Sequence, residues 1–174
     1  MSLILCLLLM SSVVVRAQGT LLYDVVDLVD VTPGQDLWEY TYYLSGFTFQ
    51  TNQGFSIFFD YQSYANLTNA RPSLNAAWSV LAVQPDVLLR ADGYLDGLAL
   101  VNGPAYAGPF QVVVTWRGQG TPGAQPFYTY NSNFTPTFTG STTVVPEPGS
   151  IFLTSLGFLL LVRTLRKTRP LSRA

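Results

Sequence analysis

The chain has 174 residues, room for about one domain, and is 48% hydrophobic but only 11% charged, against ~25% charge in ordinary globular domains. With no histidine and one cysteine, it excludes His/Cys zinc sites, histidine-based triads and disulfide scaffolds. Residues 18–145 carry nine acids and three bases, a net of −6, a body without the cations that neutralise phosphate and so without an expected nucleic-acid partner.

The start reads as a secretory signal over 1–17. Residues 3–10 are an apolar core, followed by Ser11-Ser12, and Val15-Arg16-Ala17 supplies the small-residue pattern of a cut after Ala17. The n-region has no Lys or Arg, and a buried apolar helix is the alternative reading of the segment. Cys6 lies inside it, so a cut after Ala17 leaves a body without thiols, and disulfides say nothing of its redox compartment.

The body, 18–145, shows no sustained helical repeat and reads as strands. Trp38, Tyr40, Tyr42 and Leu44 alternate with Glu39, Thr41, Tyr43 and Ser45. The same period of two runs through Phe55, Ile57 and Phe59, and through Phe110, Val112, Val114 and Trp116. Further strands are expected at 21–29, 79–83, 87–91, 94–101, 126–131 and 134–139, separated by Gly, Pro, Asn and Asp turn signals. That spacing predicts an all-β fold, an antiparallel β-sandwich of immunoglobulin or jelly-roll kind. Residues 66–78 are read as a short helix or a long crossover, and 135–145 as a last strand or a linker holding the body off a membrane. Trp38, Tyr40, Tyr42, Phe55, Ile57, Phe59, Val112, Val114 and Trp116 are the expected core.

The search for chemistry returns weak signals. Asp24, Asp27 and Asp30 alternate faces on a strand, a poor arrangement for paired carboxylates and a good one for a solvated edge. Asp92-Gly93-Tyr94-Leu95-Asp96-Gly97 offers oxygens to calcium but lacks EF-hand spacing, and Asp-Gly is also a hairpin turn. Residues 118–123 are glycine-rich without the Lys-Ser/Thr of a phosphate loop, and are expected to form a flexible hairpin loop. Asn66-Leu67-Thr68 and Asn133-Phe134-Thr135 fit the glycosylation acceptor pattern. Tyr43, Phe58, Tyr61, Tyr64, Tyr128 and Tyr130, with Asn131 and Asn133, are the ingredients of a sugar-binding platform, although burial in the core is the simpler reading of such rings.

The C-terminal 146–174 has three parts: Pro146-Glu147-Pro148, an apolar run at 151–162 broken by Thr154, Ser155 and Gly157, and a basic cluster of Arg163, Arg166, Lys167 and Arg169. The prolines stop any helix running in from upstream. The twelve-residue run makes only ~18 Å of helix against the ~30 Å of a bilayer core. A transmembrane helix must therefore extend over about 149–165, with Arg163 snorkelling. Cations beyond it place the tail on the cytoplasmic side and the body outside.

This ordered triplet, apolar run and basic stop resembles the PEP-CTERM sorting signal. The resemblance covers about 29 residues, and it departs from a bare basic end in the Thr and Leu interspersed among the cations. It implies a bacterial inner-membrane protein of type I topology with a periplasmic ectodomain, processed by an exosortase-type enzyme for delivery to the cell envelope or an exopolysaccharide matrix. In the absence of a catalytic set or cofactor motif, the chain is expected to be a non-enzymatic exported protein. A carbohydrate-binding module acting on exopolysaccharide is the second expectation and a two-carboxylate hydrolase the third.

Overall fold

The computed structural model describes residues 19–71, 76–104 and 109–146, and all its regular elements are strands. Ala17 with its signal segment, Glu147 and Pro148, the stretch at about 149–165 and the cluster Arg163, Arg166, Lys167 and Arg169 lie outside the described residues. Among the described residues no helix is long and apolar enough to cross a membrane.

In chain order the strands are β1 (Thr20–Asp27), β2 (Asp36–Ser45), β3 (Gly54–Phe59), β4 (Tyr64–Arg71), β5 (Trp78–Val83), β6 (Gly93–Ala99), β7 (Phe110–Trp116), β8 (Pro126–Tyr130), β9 (Pro136–Ser141) and β10 (Thr143–Val144). They form two five-stranded sheets, ordered β10-β1-β2-β7-β4 and β5-β6-β3-β8-β9. Neighbours are antiparallel except β10, which runs parallel to β1. The sandwich expected from alternation is present, with one mixed sheet.

Alternation places Tyr40, Tyr42, Phe110, Val112 and Val114 of the first sheet against Phe55, Ile57, Phe59 and Leu95 of the second, all fully buried. Edge-on ring contacts such as Phe55–Phe110, centroids 4.9 Å apart, knit the two sheets. Gly97 is small for a reason: a Cβ there would stand 2.5 Å from the Phe55 ring. Trp116, expected in the core, is only half-buried. It ends β7 at the rim, where its Nε1 donates to the Gly120 carbonyl at 2.8 Å.

Three expected elements are corrected. Residues 66–78 hold no helix or long crossover among those described; most of the first half is β4, whose register against β7 shifts twice. Those bulges break the period of two. Leu67 keeps its backbone bonds by pairing with the Gln84 side chain, N–H to Oε1 at 2.8 Å and carbonyl to Nε2 at 2.6 Å. Residues 87–91 are a loop rather than a strand: Asp86 and Ala91 bridge its base, and Arg90 adopts φ 52°. Residues 118–123 are no flexible hairpin loop. They carry the chain from β7 in one sheet to β8 in the other, with Pro122 fully buried.

That crossing ends on a buried amide. Gln125, 1% exposed, accepts from Tyr42 Oη at 2.9 Å and donates to Tyr40 Oη, to Tyr64 Oη at 3.0 Å and to the Gly123 carbonyl. Its backbone N–H donates to Thr142 Oγ1 and its carbonyl accepts from Thr142 N–H, both at 2.9 Å. Thr142 is where the chain leaves β9 for β10 in the other sheet. Residues 135–145 therefore form strands in both sheets, not a slack linker.

Burial raises the pKa of Tyr40, Tyr42 and Tyr64 above the ordinary value of 10.0. The folded state thus holds protons that the unfolded state releases near pH 10, and stability present below that pH is lost as pH rises above it. The tyrosines' contribution to the unfolding free energy should be level to about pH 10 and fall beyond it, at up to ~1.4 kcal/mol per pH unit for each such tyrosine, with the melting temperature falling alongside; Tyr42→Phe should flatten the fall, as a calorimetric pH series would show. Gln125→Leu strands several buried hydroxyls at ~1–3 kcal/mol each, so urea denaturation should show it among the costliest single substitutions.

Candidate functional site

The outer faces of the two sheets differ. On the first, Glu39, Thr41 and Gln111 form a polar group, Gln111 Nε2 donating to Glu39 Oε1 at 3.2 Å. On the second, β3, β6 and β8 turn aromatic rings outward. Register aligns Asp96, Ser56 and Tyr128 across three strands, with Tyr94 and Phe58 paired in the next row.

The rings form an unbroken run. Tyr94 lies 6.2 Å from Phe58, Phe58 5.2 Å from Tyr128, Tyr128 6.1 Å from Tyr130 and Tyr130 5.5 Å from Phe134, centroid to centroid. Neighbouring planes are inclined by 33–66°, so the run is a tilted strip rather than a coplanar plate. Because β3 and β8 are antiparallel, it crosses the sheet diagonally, from Tyr94 near one end of the sandwich to Phe134 in the loop at the other. Phe58, Tyr94 and Tyr128 are half-buried and Phe134 is exposed.

Polar groups are set into this strip. Asp96 accepts from Ser56 Oγ at 2.7 Å and from Tyr130 Oη at 2.9 Å. Tyr130 reaches it by lying over Gly54, where a Cβ would stand 2.5 Å from Oη. Its own burial, then the charge of Asp96, holds the Tyr130 hydroxyl neutral well above the ordinary range. The hydroxyls of Tyr94 and Tyr128 make no hydrogen bond to another described side chain. The result is ring faces for apolar C–H surfaces, with hydroxyls and one carboxylate beside them, and no Lys or Arg among the outward residues of β3, β6 and β8.

The other expected groups go elsewhere. Tyr64 is buried in the core, as the core reading has it, whereas Phe58 and Tyr128 are on the strip with Tyr130 buried between its neighbours there, and Tyr43 is half-buried on the opposite face. Tyr94 and Phe134 belong to the strip but were not among the expected rings. The signal for Tyr94 was available, since it shares strand parity with Asp96. Asp92 and Asp96 are not brought together: Asp92 Oδ1 accepts the Tyr61 N–H at 3.1 Å in the loop before β6, whereas Asp96 is in mid-strand. Asp24, Asp27 and Asp30 are exposed, and Asp30 Oδ1 accepts the Leu37 N–H at 3.0 Å. Past Tyr23, the outer edge of β1 has no strand beside it among the described residues. No cluster of three or more Asp, Glu, His or Cys forms among them. Two cavities of about 240 Å³ flank Phe47 and Phe49, and one of about 260 Å³ lies beside Phe127; none is lined by a carboxylate.

No family model matches the chain, and no curated protein matches it. Among solved structures it is similar to a cohesin module from a family 33 glycoside hydrolase of Clostridium perfringens ATCC13124, at 13% identity and a TM-score of 0.41, covering 74% of this chain and 98% of that one. It is also similar to a type I cohesin–dockerin complex from Clostridium thermocellum, at 13% identity and a TM-score of 0.35, covering 72% of this chain and 99% of that one. Scores of this size carry no argument about partner or activity.

Proposed function

We propose that the chain is a non-catalytic, exported polysaccharide-binding protein, tethered by its C-terminal segment and released by PEP-CTERM processing. The single observation that carries the binding reading is the ring strip from Tyr94 to Phe134. Aromatic faces interleaved with hydroxyls suit pyranose rings, which present C–H surfaces edged by hydroxyls. The charge argues for a neutral polymer: the strip holds Asp96 without a cation, and an acidic exopolysaccharide would meet like charge.

The route is read from the sequence. The sorting reading assigns Pro146, Glu147 and Pro148 to recognition, Arg163, Arg166, Lys167 and Arg169 to the cytoplasmic stop and Ala17 to signal cleavage. In support, the strands run from Thr20 to Val144, so both cuts would fall outside the sheets and leave them whole.

Titrated against neutral and uronate-rich polysaccharides, the protein should bind the neutral ones. Joint Phe58→Ala and Tyr128→Ala should weaken binding about tenfold or more, since a buried aromatic contributes ~1.5–3 kcal/mol; Thr41→Ala on the other sheet should not. Flat titrations with every neutral polymer would remove the reading. Intact-mass analysis of membrane and released fractions, from hosts with and without an exosortase-type enzyme, tests the route. Loss of residues 1–17 is expected in both, and a second cut near 146–148 only where the enzyme is present. An intact tail in both hosts contradicts the processing.

A further inference from the structure

The four most exposed large apolar side chains among the described residues are not on the ring strip. Leu88 is 94% exposed, Leu89 77% and Val87 54%, in the loop between β5 and β6; Val29 is 86% and Val31 81%, in the loop between β1 and β2. The first loop is built, not slack. Its base closes with Asp86 N–H to Ala91 carbonyl at 2.8 Å and the reverse bond at 3.0 Å, and Asp86 Oδ1 accepts the N–H groups of Leu88 and Leu89 at 2.8 and 3.0 Å. The fold thus fixes three contiguous apolar residues pointing into water, which costs hydration unless something covers them.

Both loops emerge from one end of the sandwich. Asp27 pairs with Trp38, and Gly93 with Phe59. The short connection from Phe59 to Tyr64 joins the two sheets at that end, where Tyr64 pairs with Trp116 and Trp116 with Asp36. The loops stand toward opposite edges, since β1 lies by the β10 edge of its sheet and β5 is the far edge of the other. Two apolar tips set apart on one end fit a broad flat partner better than a pocket.

The chain itself heads for that end. β10 runs parallel to β1, and Val145 N–H donates to the Tyr23 carbonyl at 2.8 Å. From there the apolar run begins at Ile151, six residues on, at most ~20–22 Å of extended chain. The remainder of β1 beyond Tyr23, four residues, takes up ~13 Å of that reach. The difference is ~7 Å, close to one headgroup layer.

We infer that this end of the sandwich seats on a bilayer surface, with the tips at Val29 and Val31 and at Val87, Leu88 and Leu89 entering the interface. The inference shares with the proposed function the tether at 149–165 but concerns a different surface from the ring strip. The lipid is zwitterionic: Asp27, Asp30, Asp60, Asp86 and Asp92 surround the tips against Arg90 and Arg117, so anionic headgroups would be repelled.

The test uses the full chain in a Cys6→Ser background, reconstituted into phosphatidylcholine–phosphatidylethanolamine vesicles. Leu88→Cys, Val29→Cys or, as control at the opposite end, Ser132→Cys carries an environment-sensitive fluorophore. Labels at 88 and 29 should be shielded from iodide several-fold relative to 132 and quenched by nitroxide lipids. Labels at 88 and 29 as open to iodide as 132, on vesicle-bound chain, overturn the seating and leave the tether standing. A chain that never co-sediments with vesicles overturns both. Shielding that requires phosphatidylglycerol overturns the zwitterionic assignment, and shielding that appears without lipid together with a doubled mass assigns the tips to a second copy of the chain and overturns the seating.

Discussion

One buried amide governs how the two sheets meet. The Gln125 side chain joins the hydroxyls of Tyr40, Tyr42 and Tyr64, and its backbone clamps Thr142 as the chain crosses between sheets. In a core of phenylalanines and valines a lone amide is expensive, but here both ends of its side chain are bonded, so its burial selects one arrangement rather than opposing folding. Shifting β2 or β4 along the strand direction by one residue would separate those hydroxyls from their partner. The amide therefore sets the sheet-to-sheet alignment, and with it the place where β10 joins β1 and the direction in which Val145 leaves.

The strand pattern was legible because a sandwich buries alternate residues and little else interferes. Trp38–Tyr40–Tyr42, Phe55–Ile57–Phe59 and Phe110–Val112–Val114 carry the same instruction in spacing, side-chain branching and flanking turns, and the expected boundaries fall within two residues of those found for these strands. What alternation could not convey is where it is interrupted. In β4 the bulges put Asn66 at φ 49° and make Leu67 depend on Gln84, seventeen positions away. A contact at that distance has no local signature, so the segment read as helix or crossover. Trp116 failed for a different reason: parity assigns a face, but not whether a strand's last residue is covered.

The ring strip was half legible. Phe58 and Tyr128 stood out as aromatics at outward parity, yet Tyr130, two residues along the same strand, lies over Gly54 and is buried against Asp96. Which tyrosine is platform and which is support depends on a neighbour that lacks a Cβ on the adjacent strand, a fact of register rather than sequence. The apolar stretch at 87–89 was misread because hydrophobic residues are expected inside. Asp86 reverses that expectation by holding the backbone N–H groups of Leu88 and Leu89 itself, so the loop needs no strand partner and its side chains are left in water.

Strip and loop tips differ in kind, and their directions make them compatible. The strip lies on a sheet face, and the tips lie beyond the strand ends, so a flat support at the tips stands across the strand axis and leaves the ring face open to one side. A polymer following the rings would then rise at an angle from near the support, at Tyr94, to the far end, at Phe134. With the proposed anchor starting at Ile151, six residues after Val145, the body would be held too close to a membrane for free rotation, so which surface faces outward would be decided by the body itself. Placing apolar tips at the seated end and leaving rings on the flank would accomplish that with surface chemistry alone, and a cut anywhere after Val145 would remove the orientation without touching either sheet.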